Sequence, residues 1–206
     1  MTDTTAVKPF DQRIRIWGLR AFGLLAVPLI LFTRSVWAGT EWVYEIMEVA
    51  GIFLVIFAVL GRFWAILYIG AMKNRTVMED GPYSVCRHPL YLFSTLGVVG
   101  FGLMLGSLVL TAALAGVVFL ILSATAAREE AYLRHAFGPA YAAYAARVPR
   151  IWPKPRLFRT EPVVSVSVRA LRVNFADALV FLALIPVAEL LEAVKEAGVV
   201  PAVTLF

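Results

Sequence analysis

Residues 81–91 read Gly-Pro-Tyr-Ser-Val-Cys-Arg-His-Pro-Leu-Tyr, and no further ionisable side chain follows until Arg128-Glu129-Glu130. The apolar run at 90–127 is 38 residues long, whereas about 20 apolar residues of helix cross a bilayer core. One crossing is too short for it, and Gly106-Ser107 near its middle offers a turn. The stretch therefore predicts a helical hairpin. Its first leg, 90–105, has 16 residues, about 24 Å of helix at 1.5 Å per residue, so the tip should lie shallow. Gly97, Gly100, Gly102 and Gly106 would let the two legs approach closely. A hairpin brings its ends together, which places Arg87, His88, Glu129 and Glu130 at one membrane face.

Composition puts these legs in lipid. The 206-residue chain is 61% hydrophobic and 16% charged, against about 25% charged residues in soluble domains. Its mean hydropathy is +0.80. The net charge is +5, with the basic residues gathered between apolar runs as the positive-inside rule describes. No glycine-rich phosphate loop or basic-aromatic stripe accompanies them, which argues against a nucleic-acid partner. Cys86 is the single cysteine, excluding an internal disulfide and a cysteine-based zinc cluster. Two histidines without a cysteine pair give no metal-ligand set.

Around the hairpin, residues 17–33 form a first span with Pro28 inside it. No small-residue cleavage site follows that run, so it reads as a retained span and not a signal peptide. Residues 35–48 are an aromatic, acidic loop whose Trp37, Trp42 and Tyr44 suit a membrane interface. Residues 46–71 make a second span containing Arg62, and 73–86 form a polar, turn-rich loop. Beyond the hairpin, 128–159 is basic, aromatic and broken by prolines. Tyr141, Tyr144 and Val148 recur there at helical spacing, predicting a short helix across the site's mouth. Residues 160–174 read as a linker, 175–191 as a last apolar helix and 199–206 as an apolar tail.

The expected fold is an all-α, multi-pass membrane protein of about five apolar helices. It divides into an N-terminal span and interfacial loop (1–45), a core (46–158), and a linker with an extra helix (159–206). Nine lysines and arginines lie within 128–172 and none at the hairpin tip, so the N-terminus and the site should be cytosolic.

The ordered motifs resemble a family. Gly61-Arg62-Phe63-Trp64-Ala65, Gly81-Pro82-Tyr83, Arg87-His88-Pro89-Leu90-Tyr91, Glu129-Glu130 and Phe137-Gly138 before Tyr141, Tyr144 and Val148-Pro149 are similar to the isoprenylcysteine carboxyl methyltransferases and their relatives, the phospholipid N-methyltransferases. The resemblance covers roughly residues 50–155. It implies a helical membrane methyltransferase that uses S-adenosyl-L-methionine, with a lipophilic acceptor arriving from the bilayer. By the same resemblance the cofactor site comprises Arg75, Thr76, Val77, Met78, Tyr83, His88, Pro89, Leu90, Tyr91, Glu129 and Tyr141. Arg87, His88 and Glu130 take catalytic roles, and Arg62 and Arg128 face the substrate. The prenylcysteine-methylating members carry an arginine about one helical turn before the paired glutamates. Here that place holds Thr125, and Arg128 is the nearest basic residue.

The residue types suit this chemistry. Glutamate accepts from the cofactor's ammonium or hydroxyls, arginine pairs with its carboxylate, and aromatic faces meet its sulfonium. Methyl transfer is an in-line displacement that depends on alignment and desolvation. The expected reaction is carboxyl O-methylation of an isoprenylcysteine-like substrate, and a carboxylate acceptor needs no base. The alternative is N-methylation of an ethanolamine phospholipid, which must first lose a proton. A different class altogether is a non-enzymatic binding or transport protein, with Arg62 facing a ligand pathway.

Overall fold

The computed structural model of the chain describes residues 12–35, 37, 40–70, 76–201 and 203–205. Its helices are α1 (Gln12–Phe32), α2 (Glu41–Ile69), the one-turn α3 (Pro82–Val85), α4 (Pro89–Met104), α5 (Leu108–Arg147) and α6 (Val168–Glu196). Helices α2 and α5 are long and apolar enough to cross a membrane, and α1 and α4 supply shorter apolar segments. Leu24, Phe53, Leu60, Leu120 and Val180 all point outward. Such an apolar exterior suits lipid tails and not water.

The hairpin forms where its glycine allows it. Gly106 adopts φ 68°, and a Cβ there would also lie 2.5 Å from the Tyr44 ring, so only glycine fits the turn. Ser107 then caps α5, its hydroxyl accepting the Leu110 N–H at 3.2 Å.

Helix α4 is the centre of the bundle, between α2 and α5, while α6 lies along α2 and α1 rests on α5. Its glycines serve a different partner from the one expected. A Cβ on Gly100 would sit 2.7 Å from the Gly51 carbonyl of α2, and one on Gly97 would sit 2.6 Å from the Phe181 ring of α6. Gly102 alone among these faces the other hairpin leg, at Thr111. The small-residue face thus joins α4 chiefly to α2, bringing the backbones close enough for dispersion contacts along both helices.

Two local readings change. Helix α6 starts at Val168, not near 175, because Ser167 caps it by accepting the Ala170 N–H at 3.3 Å. The short helix expected from Tyr141, Tyr144 and Val148 does form, as the last segment of α5, set off from the rest by Gly138 at φ 53° and by Pro139. The fold is also not purely helical: β1 (Thr33–Ser35) pairs in parallel with β2 (Val203–Leu205), drawing the tail back to the loop after α1. That strand pair and the hairpin tip occupy one end of the bundle. The C-terminal end of α2, α3, the start of α4 and the end of α5 meet at the other.

Candidate active site

Two prolines shape this second end. Gly81-Pro82 opens α3, and Pro89 opens α4 directly after His88, in a first turn where a missing N–H breaks no helical bond. Arg87 and His88 occupy the short link between them. The segment after α5 holds that link by its backbone: Arg87 N–H donates to the Pro149 carbonyl at 2.9 Å, His88 N–H to that of Arg150 at 3.1 Å, and Lys154 N–H to that of Val85 at 2.9 Å.

Glu130 is the hub. It is 2% exposed and receives Arg150 Nε on Oε1 and Arg150 Nη2 on Oε2, each at 3.0 Å. Arg87 Nη2 lies 3.2 Å from Oε1, and His88 Nε2 lies 3.2 Å from the same atom. Burying an unpaired carboxylate costs several kcal/mol; burial pulls the Glu130 carboxyl upward, but the hydrogen bonds from His88 and Arg150 and the Arg87 charge outweigh it and hold the group below the usual carboxylate range. The hydrogen bond to Glu130 in turn raises Arg150 further above the ordinary guanidinium range.

His88 is 8% exposed and stacks on Tyr91, with ring centroids 5.3 Å apart and planes 2° from parallel. Its Nδ1 faces Glu129 Oε2 across 3.8 Å, too far for a hydrogen bond. The two glutamates therefore differ. Both Glu130 oxygens are engaged by protein donors, whereas Glu129 is 24% exposed and retains acceptor capacity.

Three buried polar atoms in this region have no hydrogen-bond partner among the described residues: Tyr83 Oη, Arg87 Nε and Tyr141 Oη. Burial, and then neighbouring Tyr144, pushes the Tyr83 hydroxyl well above its ordinary range. Tyr144 Oη donates to the Tyr83 carbonyl at 2.8 Å, and its ring meets that of Tyr141 edge-on at 5.8 Å. An orphaned buried polar group costs about 1–3 kcal/mol, so together these atoms offer partners to a polar small molecule.

The structure gathers Tyr83, Arg87, His88, Pro89, Tyr91, Glu129, Glu130 and Tyr141 at this end. Val77 joins them by packing on the Tyr141–Tyr144 cluster. Leu90 is half-buried against the Tyr91 cluster, Met78 is half-buried and Thr76 exposed, while Arg75 lies outside the described residues. Arg62 sits at the seam of α2, α4 and α6, not in the Glu130 network. Its Nη1 bonds Ser94, its Nη2 is 3.8 Å from Asp177, and its guanidinium lies over Phe181. Arg128 is exposed. Burial pushes the Cys86 thiol up to about 12, which removes it as a nucleophile. Arg150 escaped the sequence reading altogether; the available signal was a basic residue between Pro149 and Ile151, both on a segment that had to fold back. Ala145 was missed too, since it contributes its carbonyl, which accepts Arg87 Nη1 at 2.8 Å.

Residues 24–140 match the phospholipid methyltransferase family, a region that stops short of both Arg150 and α6. The chain is 40% identical over 192 residues to a cobalt-zinc-cadmium resistance protein, CzcN, of Cupriavidus metallidurans, covering 93% of this chain and 87% of that protein. It is 34% identical over 206 residues to a nickel-cobalt-cadmium resistance protein, NccN, of Alcaligenes xylosoxydans xylosoxydans, covering 98% and 95%. A shorter match, 34% over 77 residues, joins 37% of this chain to 33% of a protein-S-isoprenylcysteine O-methyltransferase of Schizosaccharomyces pombe. No solved structure matches.

Proposed function

The chain belongs to the phospholipid methyltransferase family, and from that premise we propose that it moves a methyl group from S-adenosylmethionine to a lipid-borne acceptor. The observation that carries this reading is the set of buried, unpartnered atoms Tyr83 Oη, Arg87 Nε and Tyr141 Oη beside His88 and Glu129. They fit the donor's groups. Arg87 Nε and the tyrosine hydroxyls suit its carboxylate, Glu129 suits its ammonium or ribose hydroxyls, and the Tyr91 ring suits its cationic end. When bound, the cofactor supplies the activated methyl group. The chain's own part is to align the acceptor and keep water out, while Glu130 orients His88 and Arg87.

The acceptor we favour is a carboxylate on an isoprenylcysteine-like lipid, a reading supported by the partial likeness to the yeast enzyme. A second reading, N-methylation of an ethanolamine phospholipid, is supported by the family's description. In that case His88, placed between two carboxylates, is the group positioned to take the amine proton. The distribution of basic residues supports a multi-pass chain with the site on the cytosolic side. The names of the two near full-length relatives support a role for the methylated product in tolerance of divalent metals.

One experiment tests these readings together. Membranes carrying the wild-type chain or a His88→Ala, Glu129→Ala variant are incubated with S-adenosylmethionine tritiated on the methyl group. We expect label in the lipid phase with wild type only. Volatile, base-labile label identifies an ester and base-stable label an amine. Equal labelling by the variant sinks the assignment of the site, and no labelling by wild type favours a binding protein without turnover. Growth of the same two strains on cobalt or cadmium salts tests the link to metals, which fails if they grow alike.

A further inference from the structure

We propose that Arg150 is a positioning residue of this site: it locks Glu130, and through Glu130 the His88 imidazole. Docking of the segment after α5 and assembly of the site are then one event. The inference rests on the methyl-transfer reading of the site, though its test does not depend on it.

Arg150 makes two contacts of different kinds. Its carbonyl accepts the His88 N–H at 3.1 Å. Its guanidinium grips both Glu130 oxygens, and Glu130 Oε1 lies 3.2 Å from His88 Nε2. The contacts close a ring that runs from the Arg150 main chain through His88 and Glu130 back to the Arg150 side chain. A single hydrogen bond leaves a carboxylate free to turn. A bidentate fork fixes its plane, and with it the direction from which His88 is met, which selects the tautomer.

Other residues hold Glu130 less well. Arg134 stands 3.9 Å away, beyond hydrogen-bond reach. Arg87 directs Nη1 to the Ala145 carbonyl and offers Glu130 only Nη2 at 3.2 Å. Arg150 alone among the described residues reaches both oxygens. Its side chain is 41% exposed, and an exposed ion pair by itself contributes little. Its partner, however, is buried, so the guanidinium closes the outer side of an enclosed carboxylate.

The chain has two histidines, and His135 is exposed on α5, so histidine-labelled protein contains its own control. Imidazole ¹⁵N shifts are recorded at alkaline pH, where both imidazoles are neutral and their tautomers distinguishable, for detergent-solubilised wild type, Arg150→Gln and Arg150→Lys. In wild type we expect well-separated Nδ1 and Nε2 shifts for His88, the signature of one tautomer. In Arg150→Gln they move toward the averaged values of a free imidazole while those of His135 hold. Arg150→Lys, which keeps the charge but loses the fork, moves them the same way by less. Affinity for S-adenosylhomocysteine falls roughly tenfold in the Gln variant, because Arg87 and His88 lose the orientation that a locked Glu130 gives them. Unmoved His88 shifts in a helical Gln variant overturn the proposal, as does equal movement of both histidines. Should the Gln variant not fold, the Lys variant decides by the same two criteria. Wild type that shows the His88 signature yet binds no S-adenosylhomocysteine sinks the methyl-donor reading and leaves the role of Arg150 standing.

Discussion

Glu129 and Glu130 are adjacent in sequence and differ in almost everything else. Successive helical residues point about 100° apart, so the two meet His88 at different nitrogens and only one of them also reaches Arg87 and Arg150. Glu130 does, and removing it strands two guanidinium groups against a buried site. Breaking a buried pair in this way costs about 3–5 kcal/mol; with Arg150 partly in water, the lower end applies. We expect Glu130→Ala to lower the thermal midpoint of the detergent-solubilised protein clearly, and Glu129→Ala to leave it nearly unchanged while weakening cofactor binding. Thermal melts and titration of the two variants check this, and equal loss of stability in both would refute the division of roles. The sequence singled out the two acids, since acids on a basic face have no topological reason to be there. It could not show which one faces inward, because that depends on Arg150, twenty residues further on and beyond a kink.

Helix placement was legible to the extent that hydrophobicity alone sets it. The turn at Gly106-Ser107 and both hairpin legs followed from run length and turn chemistry. The start of α6 did not, because Arg169, Arg172 and Asn174 in its first turns hid the apolar period that begins later. The partner of the glycine face was equally hidden, since a stripe of small residues does not name the helix it will meet. That partner is testable. A Cβ on Gly100 would lie 2.7 Å from the Gly51 carbonyl and 2.9 Å from the Val55 nitrogen, both backbone atoms that cannot step aside. We expect Gly100→Ala to destabilise the α2–α4 contact by about 1–3 kcal/mol. Gly116→Ala is the control, because nothing lies within 4 Å of a Cβ there and alanine should gain about 0.5–1 kcal/mol of helix stability. Opposite shifts in thermal midpoint are expected. If Gly100→Ala is as benign as Gly116→Ala, the close approach of α4 to α2 is wrong.

At the scale of the molecule, the bundle has two chemically distinct ends. The His88 end carries Arg147, Arg150, Lys154, Arg156 and Arg159 close to the site, whereas the hairpin-tip end carries the β1–β2 pair and the Tyr44–Glu192 contact. The strand pair was illegible because it joins residues 33–35 to 203–205, a pairing that exists only once the helices between them are packed. The asymmetry of charge was legible from the start, and the cytosolic placement of the His88 end that we propose from it is open to test. Cys86 helps to test it, because a thiol that is buried and shifted up to about 12 stays protonated and should ignore a membrane-impermeant maleimide. Cysteines can therefore be introduced singly into the native chain, at Trp152 on the His88 end and at Leu108 beside the hairpin turn, both exposed. We expect Trp152→Cys to be labelled in inverted vesicles, whose outer surface is the cytosolic face, and Leu108→Cys only in right-side-out vesicles. Labelling of both from the inverted side would mean that α4 and α5 dip into the bilayer and return without crossing. Helix α4 is short enough, at about 24 Å for 16 residues, for that outcome to be a real physical alternative.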